Sequence, residues 1–350
     1  MYYVVVRHRG GANKTRVGRN REQARRALRK IQVAVDDGDY EPQRNISFQE
    51  WADNWIRSLE RKPTTIDSYR VTIAYAKERF SSKRVRGVRV DDIVEFSTWM
   101  RDRGLSPSTR ARHLRVLHAC FEAARHHDFT VRNPVKRLSP AQRPRAERKE
   151  AAYFENDELP RLFVELPHGV VRTICELALK TGLRQGEIIG LKWTDVDLGT
   201  ATVRVRRSVT DGYVGATKTH ERRDVDLMED VVDLLGCWWG EVGSPVDTDS
   251  WVFPGSAKHG VVSPPTLLTH LYSAMRSAGV PRRGPTGENR TFHSFRHTFA
   301  KVALEQGASV TWLSRHLGHS SLKVTSDVYG HFERAERKRQ TKRLEGAFTV

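Results

Sequence analysis

The sequence predicts a multidomain, mainly α-helical protein with small antiparallel β-sheets. At 350 residues the chain is long enough for two or three domains, each with its own core. Apolar residues recur at helical spacing through most of the chain. Alternating residues over 201–206, 213–217 and 222–227, with an Asp-Gly turn before the second run, predict a small antiparallel sheet.

Positive charge is concentrated in the first part of the chain. The formal net charge is +18, and residues 1–150 hold 34 Lys and Arg against 18 Asp and Glu, whereas the rest is close to neutral. Such a basic region indicates a polyanionic partner, and nucleic acid is the commonest one because each neutralised phosphate releases counterions. The alternative on charge alone is a soluble protein with an arginine-rich composition.

The cysteines and the hydropathy pattern predict the compartment. Cys120, Cys175 and Cys237 are far apart and form no CxxC pair, so we expect reduced, mostly buried thiols. The apolar runs are too short to span a bilayer, and the basic N-terminus lacks the apolar core of a signal peptide. These observations predict a cytoplasmic protein that does not contact a membrane.

The first 45 residues predict a small basic module. Residues 2–6 are aromatic and β-branched and are followed by a Gly-Gly pair, which predicts a hairpin. Residues 19–35 show helical spacing with arginines on the remaining surface. So small a core needs a neighbour to support it.

A four-helix domain is predicted over residues 46–133. Ser47 opens a capping box, and Pro63 and Ser106-Pro107 are signals for the first turns of two other helices. A further helix begins near Asp91 and ends at Gly104. Basic residues at the joints of these helices favour phosphate contacts. Residues 134–152 contain three prolines and no apolar periodicity, which predicts a basic linker.

The remaining chain is predicted to form a mixed domain over residues 153–332 and a charged tail over 333–350. Cap signals and apolar periodicity predict helices before and after the small sheet in the sequence. The helices are expected from Asn156, over 170–181, from Arg184, over 230–239, 266–278, 292–307 and 309–317, and around Tyr329.

Four segments of this domain carry polar residues that packing does not explain. Arg184 follows a glycine that breaks a helix, with Glu187 three residues on, and Lys218 follows a strand. A helix places three polar side chains on one face, and a Leu-Gly-His turn precedes a tyrosine by ten residues. The residues of these last two segments are His293, Arg296 and His297, then His319 and Tyr329.

Each segment alone also has an ordinary explanation. Arg184 and Glu187 would form a surface ion pair, and Lys218 would be solvated at a hairpin tip. A zinc site is a further alternative, because four histidines could supply nitrogens: His293, His297, His319 and His331. The segment lacks the glutamate of an HExxH motif, however, and an arginine in the same space repels a dication. We therefore expect no metal.

Together the four segments resemble the catalytic pattern of the tyrosine recombinases, the phage-integrase family. The order is Arg184, Lys218 after a strand, His293-x-x-Arg296, His319 in Leu-Gly-His, and Tyr329. The resemblance covers residues 153–332 by motif and 47–133 by the four-helix pattern. The first 40 residues look like the arm-binding modules of phage and integrative-element integrases in shape and charge.

The resemblance implies an α+β catalytic domain, a four-helix SAM-like core-binding domain and a site-specific DNA recombinase without a cofactor. Tyr329 would attack a phosphodiester and form a 3′-phosphotyrosine, while Arg184 and Arg296 hold the nonbridging oxygens. His293 would accept the tyrosine proton and Lys218 would protonate the departing 5′ oxygen. The remaining roles are supporting ones: His319 would donate a hydrogen bond to the phosphate, Glu187 would orient basic groups, and His297 would support its neighbours by packing.

The implied partners are double-stranded attachment-site DNA, three further copies of the chain on that DNA, a host bending protein and an excision factor. Three alternatives remain: a Xer-type resolvase, a type IB topoisomerase-like enzyme, and a non-catalytic DNA-binding regulator on the same scaffold. The N-terminal basic module argues against a Xer-type architecture. The presence of every expected catalytic residue type argues against a regulator.

Overall fold

A computed structural model describes residues 2–8, 11–18, 20–37, 46–146, 150–210, 212–216, 223–319, 321–322 and 325–326. The chain divides into two compact units, Met1–Glu147 and Arg148–Val350. Among the helices in these described stretches, none has the length and apolar character needed to cross a bilayer.

The first unit begins with a hairpin and a helix. Strands β1 (Tyr2–His8) and β2 (Gly11–Gly18) pair antiparallel, with Val5 opposite Lys14, and helix α1 (Arg21–Asp36) contacts both strands. The side chain of Asn20 caps α1 by accepting a hydrogen bond from the backbone N–H of Glu22 at 2.8 Å. The predicted hairpin and helix are confirmed.

Four helices form the core of the first unit, as predicted. Their inner faces are aromatic: the rings of Phe48 and Phe80 meet edge to face at 5.4 Å, and Phe121 lies 5.7 Å from Phe48. Local signals set the boundaries, since Ser47 accepts a hydrogen bond from the amide of Glu50. The helices are α2 (Phe48–Arg57), α3 (Pro63–Phe80), α4 (Val90–Asp102) and α5 (Pro107–His126).

The predicted linker is ordered at its beginning. Val135 and Leu138 are buried in the core of the four-helix bundle, and the Arg143 side chain donates to the carbonyl oxygens of Lys136 and Leu138 at 3.2 and 3.3 Å. Residues 134–143 of the predicted linker therefore pack as part of the folded first unit. Two apolar residues three positions apart in a short 3₁₀ turn are enough to anchor the segment, although they are too few to show a helical period.

The second unit is built mainly from helices around one large apolar core. Helix α7 (Val170–Thr181) packs against α11 (His293–Glu305), and the ring centroids of Phe154 and Phe295 lie 5.0 Å apart within this core. Most helices lie within two residues of their predicted bounds. They are α6 (Glu158–Glu165), α7 (Val170–Thr181), α8 (Gln185–Ile189), α9 (Glu229–Glu241), α10 (Pro264–Ser277), α11 (His293–Glu305) and α12 (Val310–Leu317).

The described strands of the second unit form two small antiparallel sheets, whereas the sequence predicted one. The strands are β3 (Val196–Asp197), β4 (Thr202–Val205), β5 (Arg207–Thr210), β6 (Tyr213–Ala216) and β7 (Arg223–Asp226). In the first sheet, β4 lies between β3 and β7, and in the second β5 pairs with β6. Two strands were missed because β3 is only two residues long and β5 follows β4 after one residue.

A buried ion pair joins the beginning of this unit to the segment before α11. Arg290 is 1% exposed, and its Nη1 and Nη2 donate to the two carboxylate oxygens of Glu158 at 3.0 and 2.6 Å. Its Nε donates to the carbonyl oxygen of Tyr153 at 2.8 Å. Two distant parts of the sequence are thereby held against each other.

Candidate functional site

The turn between α7 and α8 carries the first predicted site residue. Helix α7 ends at Gly182, whose φ of 65° is the left-handed conformation that favours glycine. A Cβ at this position would lie 2.6 Å from Cδ1 of Phe299, so the turn packs closely on α11. Arg184 follows as the N-cap of α8, and its backbone N–H donates to Oε2 of Glu187 at 2.9 Å.

Glu187 binds two arginines. Its Oε1 accepts from Nη1 of Arg184 at 2.7 Å, and its two carboxylate oxygens accept from Nη1 and Nη2 of Arg223 at 3.0 and 2.7 Å. Burial would by itself raise the pKa of Glu187, but the hydrogen bond and charge of Arg223, together with the charge of Arg184, lower that pKa to about 2. Glu187 is therefore ionised at neutral pH.

Arg223, which lies on β7, was not among the predicted site residues. Arg223 and Val225 are on the same side of the strand because side chains alternate, and Val225 is fully buried. The sequence signal that could have predicted it is a basic residue two positions before a valine of the same strand, because both side chains then face the same side.

Helix α11 carries the next three predicted residues. Arg296 is 1% exposed, and its guanidinium donates from Nη1 to the carbonyl oxygen of Gly182 at 2.7 Å and from Nη2 to that of Leu317 at 2.6 Å. Arg296 therefore holds the ends of α7 and α12 next to each other. The rings of His293 and His297 meet edge to face, with centroids 4.7 Å apart.

The two histidines of α11 have lowered pKa values. Partial loss of surrounding water, followed by the charges of Arg296 and Arg184, lowers the pKa of His293 to about 4, although the residue is exposed to solvent. Burial, with the neighbouring His293 and Arg296, lowers the pKa of His297 to about 3. Both imidazoles are neutral at pH 7 and can accept a proton.

The end of α12 carries the last predicted site residue that the structure describes, His319. Gly318 has a φ of 63°, and its carbonyl oxygen accepts from Nη2 of Arg184 at 2.9 Å. Nδ1 of His319 lies 2.7 Å from the hydroxyl oxygen of Thr325. Burial, followed by the charges of Arg296 and Arg184, lowers the pKa of His319 to about 4.

Two further residues beside the site, His316 and Thr325, were also not predicted. The His316 ring is stacked against Phe299 at 5.0 Å and Trp312 at 4.7 Å, and its Nε2 lies 2.9 Å from the carbonyl oxygen of Thr181. Thr325 is fully buried. Neither residue carried a recognisable signal in the sequence, because each acts through a contact that the fold creates.

The structure thus brings together most of the predicted site residues from three separate segments. We call these six side chains the arginine–histidine cluster: Arg184, Glu187, His293, Arg296, His297 and His319.

Lys218 and Tyr329 lie outside the described residues, as does His331 of the zinc alternative. Within the described parts of the chain, no group of three or more His, Cys, Asp or Glu side chains could hold a metal ion. Guanidinium groups beside neutral imidazoles are suited to binding a phosphate and moving a proton.

Several solved structures share the fold. A Tn1549 transposon integrase in complex with a circular intermediate DNA has a TM-score of 0.70 at 19% identity, over 84% of this chain and 99% of that one. A lambda integrase tetramer bound to a Holliday junction has a TM-score of 0.64 at 18% identity, over 93% and 91% of the two chains. The predicted fold class is confirmed.

Fold and sequence together define the class as a tyrosine recombinase, an enzyme that cleaves and rejoins DNA strands. The model of the phage integrase family matches residues 153–336. That match covers more than half of the chain, and the chain belongs to this family.

Two curated relatives extend the comparison beyond the matched domain. The ICEBs1 integrase of Bacillus subtilis is 25% identical over 324 residues, 86% of this chain and 83% of its own length. The tyrosine recombinase XerC of Xanthomonas campestris is 27% identical over 278 residues, 77% of this chain and 79% of its own length. The predicted family and enzyme class are confirmed.

Proposed function

We propose that this chain is the integrase of a mobile genetic element and that it cuts and rejoins DNA through Tyr329. One observation carries the proposal: two guanidinium groups and two neutral imidazoles, from Arg184, Arg296, His293 and His319, come together from three separate segments. Planar guanidinium groups match the nonbridging oxygens of a phosphodiester. The pentacoordinate transition state carries additional negative charge, so these groups bind it more tightly than the substrate.

The proposed reaction exchanges one phosphoester bond for another. The hydroxyl oxygen of Tyr329 bonds to phosphorus while the bond to the 5′ oxygen breaks, which leaves a 3′-phosphotyrosine and a free 5′ hydroxyl. His293 accepts the tyrosine proton, and Lys218 donates a proton to the departing oxygen. Because the phosphotyrosine keeps the ester bond, a second 5′ hydroxyl can reverse the step without a cofactor.

The protonation states of the two imidazoles support these roles. A pKa of about 4 keeps His293 neutral at pH 7, as a base requires. When the Thr325 hydroxyl donates to Nδ1 of His319, the proton of that neutral ring is on Nε2. Nε2–H would then donate to a phosphate oxygen.

The first unit supports integration of an element over chromosome resolution. Residues 1–150 carry the large excess of basic charge, and the hairpin with α1 stands before the four-helix bundle as an additional basic module. We propose that this module, residues 1–45, binds arm-type DNA sites, and that residues 46–133 bind the core site.

The proposed partners follow from the same assignment. The enzyme would act in the cytoplasm on double-stranded attachment sites as a homotetramer, the state named for the lambda integrase on a Holliday junction. A host bending protein and an excision factor would bring distant arm sites and core sites together.

The test is capture of the covalent intermediate. A nicked duplex carrying the junction between the element and its flanking DNA would be incubated with the full chain and resolved under denaturing conditions. We expect a covalent protein–DNA adduct with the unaltered chain and none with Tyr329→Phe, whereas Tyr213→Phe, at an exposed tyrosine of β6, should form it normally. An adduct with Tyr329→Phe would show that another residue is the nucleophile.

A further inference from the structure

We infer that Arg223 is a positioning residue for strand cleavage, which holds the turns carrying Arg184 and His319 in register. The inference rests on the proposed function, because it assigns Arg223 a role in that reaction. Arg223 is nearly buried, with 10% of its side chain exposed, and it comes from a different segment of the chain than either turn. All three of its side-chain nitrogens donate hydrogen bonds within the site.

The first link runs through Glu187. Each carboxylate oxygen of Glu187 accepts hydrogen bonds from both arginines. Oε1 accepts from Nη1 of Arg184 and Nη1 of Arg223. Oε2 accepts from the backbone N–H of Arg184 and from Nη2 of Arg223. Arg223 binds the carboxylate with two parallel bonds, which fixes its plane. The orientation of the Arg184 guanidinium therefore depends on a carboxylate that Arg223 holds in place.

The second link runs to the end of α12. Nε of Arg223 donates to the carbonyl oxygen of His316 at 2.9 Å, one turn before His319. A Cβ at Gly318 would lie 2.9 Å from Nη1 of Arg223, so the backbone passes directly over the guanidinium. The Gly318 carbonyl oxygen in turn accepts from Arg184, which closes a ring of contacts: Arg223, Glu187, Arg184 and Gly318.

A purely structural ion pair is the competing explanation. It predicts that loss of Arg223 lowers stability but leaves the cleavage rate of the folded, DNA-saturated enzyme unchanged. A positioning role predicts a slower chemical step at saturating DNA, because misplacement of a catalytic group by about 1 Å can cost roughly 100-fold in rate. Lysine lacks the planar fork, so Arg223→Lys should restore little.

The experiment compares Arg223→Gln and Arg223→Lys with Arg204→Gln in the full chain. Arg204 is a matched control because it lies on β4 of the same sheet and pairs with Asp197 at 3.3 Å, outside the cluster. Three quantities are measured: the rate constant of adduct formation at saturating nicked DNA, the Kd for that DNA, and amide hydrogen exchange without DNA.

We expect Arg223→Gln to slow adduct formation roughly 10- to 100-fold with Kd changed less than about threefold, and Arg204→Gln to match the unaltered chain. In the unaltered chain the amide of Arg184 is hydrogen-bonded to Glu187 and the amide of His319 to Ser314. Both amides should exchange faster in Arg223→Gln. Combining Arg223→Gln with Glu187→Gln should add little to the loss caused by Glu187→Gln alone, because both act on Arg184.

An unaltered rate constant in Arg223→Gln, or a loss of rate without faster exchange at these two amides, would overturn the inference. Failure of the proposed function has a different signature, since the unaltered chain would then form no adduct. The exchange measurement does not require cleavage, so unchanged exchange at both amides would overturn the inference in that case as well.

Discussion

The hydroxyl oxygen of Thr325 lies 2.7 Å from Nδ1 of His319. Thr325 is fully buried, and it stands four residues before Tyr329 in the sequence. The hydroxyl can donate to a neutral imidazole and so select the tautomer that carries its proton on Nε2. This contact links the segment that leads to the proposed nucleophile with His319, the proposed hydrogen-bond donor to the phosphate.

Removing that hydroxyl should slow strand cleavage. Thr325→Val keeps the shape of the side chain but leaves the His319 tautomer unselected, and a net hydrogen bond of about 1 kcal/mol corresponds to a loss of roughly fivefold in rate. The measurement is the rate constant of adduct formation at saturating DNA. Thr325→Ser retains the hydroxyl and should stay close to the unaltered chain; equal losses in both variants would show that packing, and not the hydroxyl, matters.

Stability of the second unit should fall as the pH falls from about 6.5 toward 3. Burial keeps His297 neutral in the folded state, with a pKa of about 3, whereas the unfolded chain takes up the proton near pH 6.5. Protons therefore bind the unfolded state preferentially across this window, and the stability is complete only above it. The difference in unfolding free energy between pH 7.5 and pH 5, measured with urea on the full chain, should be smaller for His297→Gln than for the unaltered chain. An unchanged difference would contradict the lowered pKa of His297.

Two glycines with the same backbone conformation should respond differently to alanine. Gly182 and Gly279 both have a φ of 65°. A Cβ at Gly279 meets nothing within 4 Å, whereas at Gly182 it would lie 2.6 Å from Phe299 and 2.8 Å from Leu317. Gly279→Ala should cost about 1 kcal/mol of unfolding free energy from strain alone. Gly182→Ala should cost about 1–3 kcal/mol more through overpacking. Equal losses in urea unfolding would contradict the close contact.

The buried pair of Arg290 and Glu158 should matter more than an exposed pair in the same unit. Arg290→Met leaves the Glu158 carboxylate without its bidentate partner, which should cost about 3–5 kcal/mol of unfolding free energy. The control is Arg161→Met, because Arg161 and Asp157 are 53% and 80% exposed and 3.7 Å apart. We expect a change below about 1 kcal/mol there. Similar values for the two variants would contradict the energetic difference between the sites.

Deletion of residues 1–45 should separate binding to distal sites from cleavage at the core site. Because the hairpin and α1 precede the four-helix bundle in the chain, their removal leaves the sequence of the four helices and of the second unit unaltered. We expect adduct formation on a nicked core site to remain detectable while affinity for flanking arm sites falls. Measurement of affinity for each site by mobility shift decides the matter, and unaltered affinity at every site would refute the arm-binding role.

Much of the helical framework could be predicted from the sequence because helix boundaries depend on neighbouring residues. Pro63 at a first turn and Gly182 at a left-handed C-cap act within a few positions of themselves, and the structure places α3 and α7 where they indicate. The family could be predicted for a similar reason. Its catalytic pattern is a series of residue types in a fixed order, which needs no knowledge of how the segments meet.

Contacts between distant segments could only be found in the tertiary structure. The partner of Arg184 at Gly318 is 134 residues away, and nothing near either residue specifies that pairing. The division into two sheets likewise depends on which strand edges meet, since β4 pairs with β7 across the intervening hairpin. The sequence by itself determined the helices, the family and the residue types of the candidate site. Only the fold decided that Arg223 and Thr325 contact that site, because long-range packing chooses which side chains become neighbours.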